Sequence, residues 1–90
     1  MLLKNYMELA VDHVLPNLSK VFPNICFCES CLLDMKALAL NNLKPHYIVT
    51  DKGELYTKVQ EMSLQFETDV MKALIDAIAI VGSKPRHNEQ

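Results

Sequence analysis

The sequence predicts a small all-α domain that forms a homodimer, with a kinked N-terminal helix, a buried central helix and a long C-terminal helix. Apolar residues recur at three- and four-residue steps along two segments of the chain, which is the period of an amphipathic helix. Half of the residues are hydrophobic, which is more apolar surface than a domain of 90 residues comfortably buries alone. The excess predicts an oligomer or a ligand groove. The length fits one domain over residues 1–90, of which residues 84–90 form a polar tail.

The first predicted element is a helix over residues 2–21. Its apolar face is formed by Leu3, Met7, Ala10, Val14, Leu18 and Val21. Pro16 lacks a backbone N–H and its ring clashes with the preceding turn, so we expect either a kink or two short helices that meet near Leu15. Pro23 then ends the segment.

The second predicted helix spans residues 31–41, with Ser30 as its N-cap. Asp34 and Lys36 are its charged residues, and apolar side chains occupy nearly every face. A helix of that kind is buried on most sides, which in so short a chain predicts that a partner covers part of it.

The connector of residues 42–50 is expected to be irregular. Pro45 disfavours a helical backbone at the residue before it. Residues 47–50 have β-branched character, but they are too few for more than an extended segment.

The third predicted helix is the longest and covers residues 52–82. Asp51 and Glu54 form a capping box at its start, and Gly82 marks its end. One continuous helix would be about 40 Å long, and a break near residues 63–65 is the alternative. Two short helices cannot cover a stripe of that length, so we expect long helices that cross in a homodimer.

All three cysteines lie within one stretch of six residues, as Cys26, Cys28 and Cys31. An odd number cannot close into internal disulfides alone, and grouped thiols with a Cys-x-x-Cys spacing are typical of zinc ligands. The start of the following helix favours thiolates through its N–H groups and its dipole. The stretch therefore predicts a structural zinc site. Three thiols without a metal, or a redox-active pair outside the usual βαβ surroundings, are the alternatives.

The fourth zinc ligand is not part of this stretch. We favour His87, because a segment beyond the long helix can fold back onto the cysteines. His13 is the second candidate, and His46 or a water molecule are the others.

Charge and composition exclude several classes of function. The formal net charge is −2, which is unlike a nucleic-acid-binding surface, so we expect no direct nucleic-acid binding. The apolar runs are shorter than the roughly 20 residues that span a bilayer, and the start lacks a basic signal-peptide region. We therefore expect a cytoplasmic protein without membrane insertion. Since no Ser/His/Asp set and no Gly-rich phosphate loop occurs, we do not expect an enzyme.

Three motifs resemble the late competence development protein ComFB family. They are Asn5-Tyr6-Met7-Glu8, the pattern Ala-Leu-Asn-x-Leu-x-Pro-x-Tyr at residues 39–47, and Pro85-Arg86-His87. The cysteine stretch resembles the Gram-positive, cysteine-bearing branch of that family. The resemblance implies a small α-helical homodimer without known catalysis, with zinc at the cysteines and a link to natural competence and motility.

The resemblance also implies a ligand, since some relatives are receptors for cyclic dinucleotides such as cyclic di-GMP or cyclic di-AMP. The end of the second helix and the connector offer amide, cationic, aromatic and hydroxyl groups for such a molecule at Asn41, Asn42, Lys44, Tyr47 and Thr50. A twofold dimer would present this set twice to a twofold ligand. The alternative is a protein interaction scaffold of the competence system that holds a structural zinc and binds no small molecule.

Overall fold

The computed structural model describes residues 1–51 and 54–85, without the side chains of Tyr56 and residues 58–65. Two strands and three helices occur in the described residues: β1 (Leu2–Asn5), α1 (Tyr6–Ser19), α2 (Glu29–Asn41), β2 (Tyr47–Thr50) and α3 (Leu55–Ser83). The molecule measures 40 × 25 × 21 Å. Helix α3, with 29 residues at about 1.5 Å each, accounts for its longest dimension.

The expectation of an all-α fold is wrong, because β1 and β2 form a two-stranded antiparallel sheet. Leu2 pairs with Thr50 and Leu3 with Val49, so residues expected to begin the first helix belong to a strand. The β-branched residues of β2 favour an extended backbone, but a two-stranded ribbon is stable only when other structure supports it. Thr50 is buried and Ile48 packs against the core, which supplies that support.

Helix α1 begins after Asn5, whose backbone is extended and whose side-chain oxygen accepts the N–H of Met7 at 3.2 Å. This N-cap starts the helix later than expected. The helix continues through Pro16 to Ser19, so the alternative of two short helices is wrong. Pro16 removes one N–H donor near the helix end, where the Ser19 hydroxyl donates to the Pro16 carbonyl at 2.8 Å.

Helix α2 begins earlier than predicted, because Cys28 rather than Ser30 is its N-cap. Its fully buried residues follow one another at four-residue steps and form one stripe: Cys31, Met35 and Ala39. On the opposite side of the helix, Leu33 is 59% exposed. A single chain therefore buries α2 along one stripe only, and not on most of its sides as expected.

Helix α3 is one continuous helix of 29 residues, so the alternative of a break near residues 63–65 is wrong. It packs against both α1 and α2. Its buried side chains form a large part of the core: Val70, Ala73, Leu74, Ala77, Ile78 and Val81. At its start the Glu54 N–H donates to the carbonyl of Asp51 at 3.0 Å, and this backbone turn takes the place of the expected capping box.

Gly82 has a different role from the one expected. It lies inside α3, which ends at Ser83, and the C-cap is Lys84 with a φ of −143°. A Cβ atom at Gly82 would lie only 3.1 Å from Cγ2 of Ile25. The glycine therefore allows the loop before α2 to approach α3 closely, and it does not end the helix in a left-handed conformation.

A cluster of three rings joins the sheet to the helices. Tyr6 is fully buried at the start of α1, and its ring centroid lies 5.8 Å from that of Phe66 and 6.3 Å from that of His46. The rings of His46 and Phe66 are 5.1 Å apart. Since Phe66 belongs to α3 and His46 directly precedes β2, the rings hold the connector against the helices.

Candidate metal centre

The three cysteines come together at the start of α2. Their sulfur atoms all lie within 4.8 Å of one another. Cys28 is the N-cap of α2 and Cys31 lies in its first turn, whereas Cys26 belongs to the preceding loop. Cys26 and Cys28 are exposed and Cys31 is buried, and no disulfide joins these three described residues. The cluster therefore reaches from the surface to the core.

The start of the helix brings two of these thiols side by side. The backbone of Cys28 is extended, with φ −67° and ψ 170°, and its carbonyl accepts the N–H of Leu32 at 2.8 Å. The turn closed by this bond places Cys28 beside Cys31, as the Cys-x-x-Cys spacing predicts. Two apolar neighbours, Ile25 and Phe27, are half-buried and hold the preceding loop against the core.

The two thiols of the helix differ in acidity. A hydrogen bond from the backbone N–H of Cys31 lowers the pKa of the Cys28 thiol. Burial raises the pKa of the Cys31 thiol to about 12. A divalent cation bound between the sulfurs would reverse the second effect, because a thiol that coordinates a metal is deprotonated.

The donor set fits a zinc ion. Zn–S bonds of about 2.3 Å in a tetrahedron place the sulfurs about 3.8 Å apart. Since the sulfurs here already lie within 4.8 Å of one another, small side-chain rotations close the remaining gap. Three thiolates leave one tetrahedral position for a fourth ligand.

Two of the three candidate histidines lie apart from this group. His13 is exposed on α1 and lines a recess against α3. His46 packs against the Tyr6 ring. Among the described residues, the three cysteines form the one group of at least three His, Cys, Asp or Glu side chains close enough to share a metal ion. His87 lies outside the described residues.

The five candidate residues for a dinucleotide lie in separate places. Asn42 and Lys44 line a cleft of about 650 Å³ between the connector and α3. Asn41 lines another groove, between α2 and the end of α3. Tyr47 is exposed on the sheet and Thr50 is buried. One chain therefore does not bring the five residues into a single site.

The cleft contains residues that the sequence analysis did not select. Asp69, Lys72 and Asp76 of α3 line it together with Phe66. Their spacing of three and four residues puts these charges on one face of α3, turned towards Lys44. This spacing of charged residues could have indicated the cleft from the sequence. It was missed because charged residues are expected on the polar face of any long amphipathic helix.

Comparison with known proteins gives the family. A family model described as late competence development protein ComFB matches residues 4–85. The chain belongs to the ComFB family. Competence protein ComFB of Bacillus subtilis (strain 168) is 29% identical over 84 residues, which cover 93% of this chain and 86% of that protein. A solved structure described as the late competence protein ComFB from Bacillus subtilis matches with a TM-score of 0.80 and 28% identity, over 99% of this chain and 100% of that chain.

The ComFB match confirms the family that the sequence motifs predicted. Two residues of the first motif have structural roles in this ComFB chain, since Asn5 caps α1 and Tyr6 lies in the core. The second motif, residues 39–47, covers the end of α2 and the turn into β2. In the described part of the chain, none of the helices has both the length and the hydropathy needed to span a bilayer.

Proposed function

We propose that this ComFB-family chain is a zinc-binding, dimeric regulatory protein of the competence system that acts in the cytoplasm without catalysis. The observation that carries the proposal is the group of three cysteine sulfurs within 4.8 Å of one another at the start of α2. Clustered thiolates are the donor set of structural zinc sites, which stabilise domains too small for a large core. The link to competence rests on family membership.

His87 completes the zinc site in this proposal. The last turn of α3 lies against the cysteine loop, since Gly82 closely approaches Ile25, the residue before Cys26. His87 follows Gly82 by five positions, and an extended segment of that length spans up to about 17 Å. Zinc bound in this way would fasten the segment after α3 to the start of α2.

Metal analysis of the purified chain, with thiol titration before and after chelation, tests the zinc site. We expect about one zinc per chain and three thiols that react fully only after chelation. His87→Ala should weaken zinc binding by about tenfold or more, whereas the control His13→Ala should leave it unchanged. Zinc content near zero would refute the metal proposal, and weaker binding in His13→Ala would make His13 the fourth ligand instead.

A second copy of the chain is proposed to cover the groove between α2 and the end of α3. The groove has a volume of about 510 Å³, and its apolar walls include Ala37 and Ile80. Ile80 is 59% exposed, and Leu33, one helical turn before Ala37, is exposed to the same extent. Large apolar side chains left open on neighbouring helices are typical of a surface that an assembly covers. The open face of α2 would then be buried between two chains.

A second candidate function is binding of a cyclic dinucleotide in the cleft between the connector and α3. Lys44, Lys72 and Asn42 offer N–H donors to phosphate oxygens, and Phe66 offers a ring on which a base can stack. The two carboxylates of α3 in the same cleft oppose an anion. They favour the alternative of an interaction scaffold that holds structural zinc and binds no small molecule.

Calorimetric titration with cyclic di-GMP and cyclic di-AMP separates these two candidates. A receptor should bind one of them with micromolar or tighter affinity, and Lys44→Ala should weaken that binding. Lys20→Ala is the matched control, because Lys20 is exposed in the loop after α1. No heat and no thermal shift with either ligand would favour the scaffold. Binding that Lys44→Ala leaves unchanged would move the site to another surface.

A further inference from the structure

The position of the Cys26 thiol depends on the loop before α2, whereas the positions of the Cys28 and Cys31 thiols are set by the helix itself. Cys28 and Cys31 are spaced by the first turn of α2, which is closed by the hydrogen bond from the Leu32 N–H to the Cys28 carbonyl. Cys26 lies outside the helix. Its distance from the other sulfurs is therefore set by the way the loop before α2 is held.

Ile25 holds this loop on one side of Cys26. Its N–H donates to the carbonyl of Phe22 at 3.3 Å, which closes a turn, and its half-buried side chain lies on the last turn of α3. Its Cγ2, Cδ1 and Cγ1 atoms lie 3.1, 3.2 and 3.4 Å from the position that a Cβ at Gly82 would take. A Cβ atom at position 82 would therefore contact the Ile25 side chain tightly, and Ile25 would have to move by a few tenths of an ångström to relieve that contact.

Phe27 holds the loop on the other side. It is half-buried against the core and borders a recess of about 260 Å³ together with Pro16 of α1 and Leu32 of α2. Cys26 is therefore flanked by two apolar side chains that contact different helices. This arrangement keeps the loop packed while the Cys26 thiol stays exposed beside that of Cys28.

We propose that Ile25 and Gly82 are positioning residues, which hold the Cys26 thiol within ligand distance of the two thiols of α2. The inference rests on the proposed metal function and extends it, because it makes the last turn of α3 a part of the metal site. A side chain at position 82 would push on Ile25 and so shift the adjoining Cys26, by a few tenths of an ångström for alanine and by more for a branched side chain. The pair Cys28 and Cys31 would keep its geometry, since the first turn of α2 sets it.

Cobalt(II) binding to the full chain tests this proposal, because the intensity of sulfur-to-cobalt charge-transfer absorption rises with the number of thiolate ligands. The variants are Gly82→Val, the double variant of Gly82→Val with Ile25→Ala, and Cys26→Ser as a reference with two thiolates. Ala79→Val is the matched control, since Ala79 is exposed on the same helix.

We expect Gly82→Val to reduce the charge-transfer intensity by about a third, to the level of Cys26→Ser, and to weaken cobalt binding by about tenfold or more. The double variant should restore both, because the valine at position 82 takes the space of the truncated Ile25 side chain and so keeps the contact between the loop and α3. Ala79→Val should match the wild type. Alanine favours a helix more than glycine does, so Gly82→Ala is not expected to unfold α3. If this variant shows reduced charge-transfer intensity at an unchanged melting temperature, the loss comes from the position of Cys26 and not from unfolding.

Full charge-transfer intensity in Gly82→Val would overturn the proposal, as would a loss that the folded double variant fails to restore. If circular dichroism shows that Gly82→Val does not fold, Gly82→Ala decides instead: a weaker cobalt affinity or a lower intensity supports the proposal, and wild-type values overturn it. A wild type that takes up no cobalt would refute the metal function instead. The positioning of Cys26 is then tested by NMR on the metal-free chain. Gly82→Val should shift the amide resonance of Cys26 but not that of Met35. An unshifted amide resonance of Cys26 would overturn the proposal.

Discussion

The side-chain oxygen of Asn5 accepts the backbone N–H of His46 at 2.9 Å, across 41 positions of sequence. The same oxygen accepts the N–H of Met7 at 3.2 Å and so caps α1. Next to it, the Tyr6 N–H donates to the His46 carbonyl at 2.6 Å. The Asn5 side chain, at the border between β1 and α1, thus joins the start of α1 to the residue that precedes β2.

Asn5→Ala should lower the free energy of unfolding by about 1–3 kcal/mol, because it removes an N-cap and leaves two backbone N–H groups without this acceptor. Urea unfolding of the metal-free chain measures the change. Asn42→Ala is the control, since the Asn42 side chain donates to the Leu38 carbonyl at an exposed site, and its loss should cost less than about 0.5 kcal/mol. Equal losses in the two variants would contradict the double role of Asn5.

Tyr6 should make the fold sensitive to alkali. Burial raises the pKa of its phenol above the ordinary value of 10.0, so the folded chain keeps this proton at a pH where the unfolded chain loses it. The stability that results is complete below pH 10 and is lost as the pH rises through the folded-state pKa. Thermal unfolding from pH 8 upwards should show a steeper decline for the wild type than for Tyr6→Phe. Parallel curves would rule out this contribution.

Cys31 and Cys26 should respond differently to substitution when no metal is bound. Cys31→Ser places a hydroxyl in the core and should lower the stability of the metal-free chain by about 1–3 kcal/mol. Cys26→Ser changes an exposed residue and should stay within about 0.5 kcal/mol of the wild type. With zinc added, both variants should lose most of the stabilisation that the metal gives to the wild type. The comparison needs denaturation curves with zinc and with chelator, and equal metal-free stabilities would contradict it.

Ile80→Lys should convert the proposed dimer into a monomer, because it replaces an exposed apolar side chain of the groove beside α2 with a charged one. Val49→Lys is the matched control, since Val49 is 60% exposed on the sheet, away from that groove. Sedimentation equilibrium over a range of concentrations gives the mass of each variant. A monomeric wild type would refute the dimer, and a monomer formed only by Val49→Lys would place the contact on the sheet.

Periodicity predicted the helices well, because their stripes are local features of the sequence. The start of α2 was placed late, since Cys28 acts as N-cap although cysteine is not among the residues that favour this position. The sheet was missed for a different reason. Each strand has four residues, and the partner of Leu3 is Val49, so the pairing is a property of the folded chain that a local pattern does not contain.

The candidate site was predictable only in part. The spacing of Cys26, Cys28 and Cys31 was sufficient, because residues so near in sequence are near in space. The packing of Ile25 on Gly82 could not be predicted from the sequence, because the two residues are far apart in the chain. A glycine near a helix end is typical of a C-cap. Whether its missing side chain instead leaves room for a residue distant in sequence depends on tertiary contacts.

The position of α3 also bears on when this protein can fold. The buried side chains of α1 and α2 meet those of α3, which follows both helices in the chain and is therefore synthesised after them. Before Val70, Leu74 and Ile78 have been synthesised, the apolar residues of the first half have little to pack against. The domain therefore folds only after α3 has been synthesised, and nascent or truncated polypeptides that end within α3 are expected to be targets for chaperones and proteases.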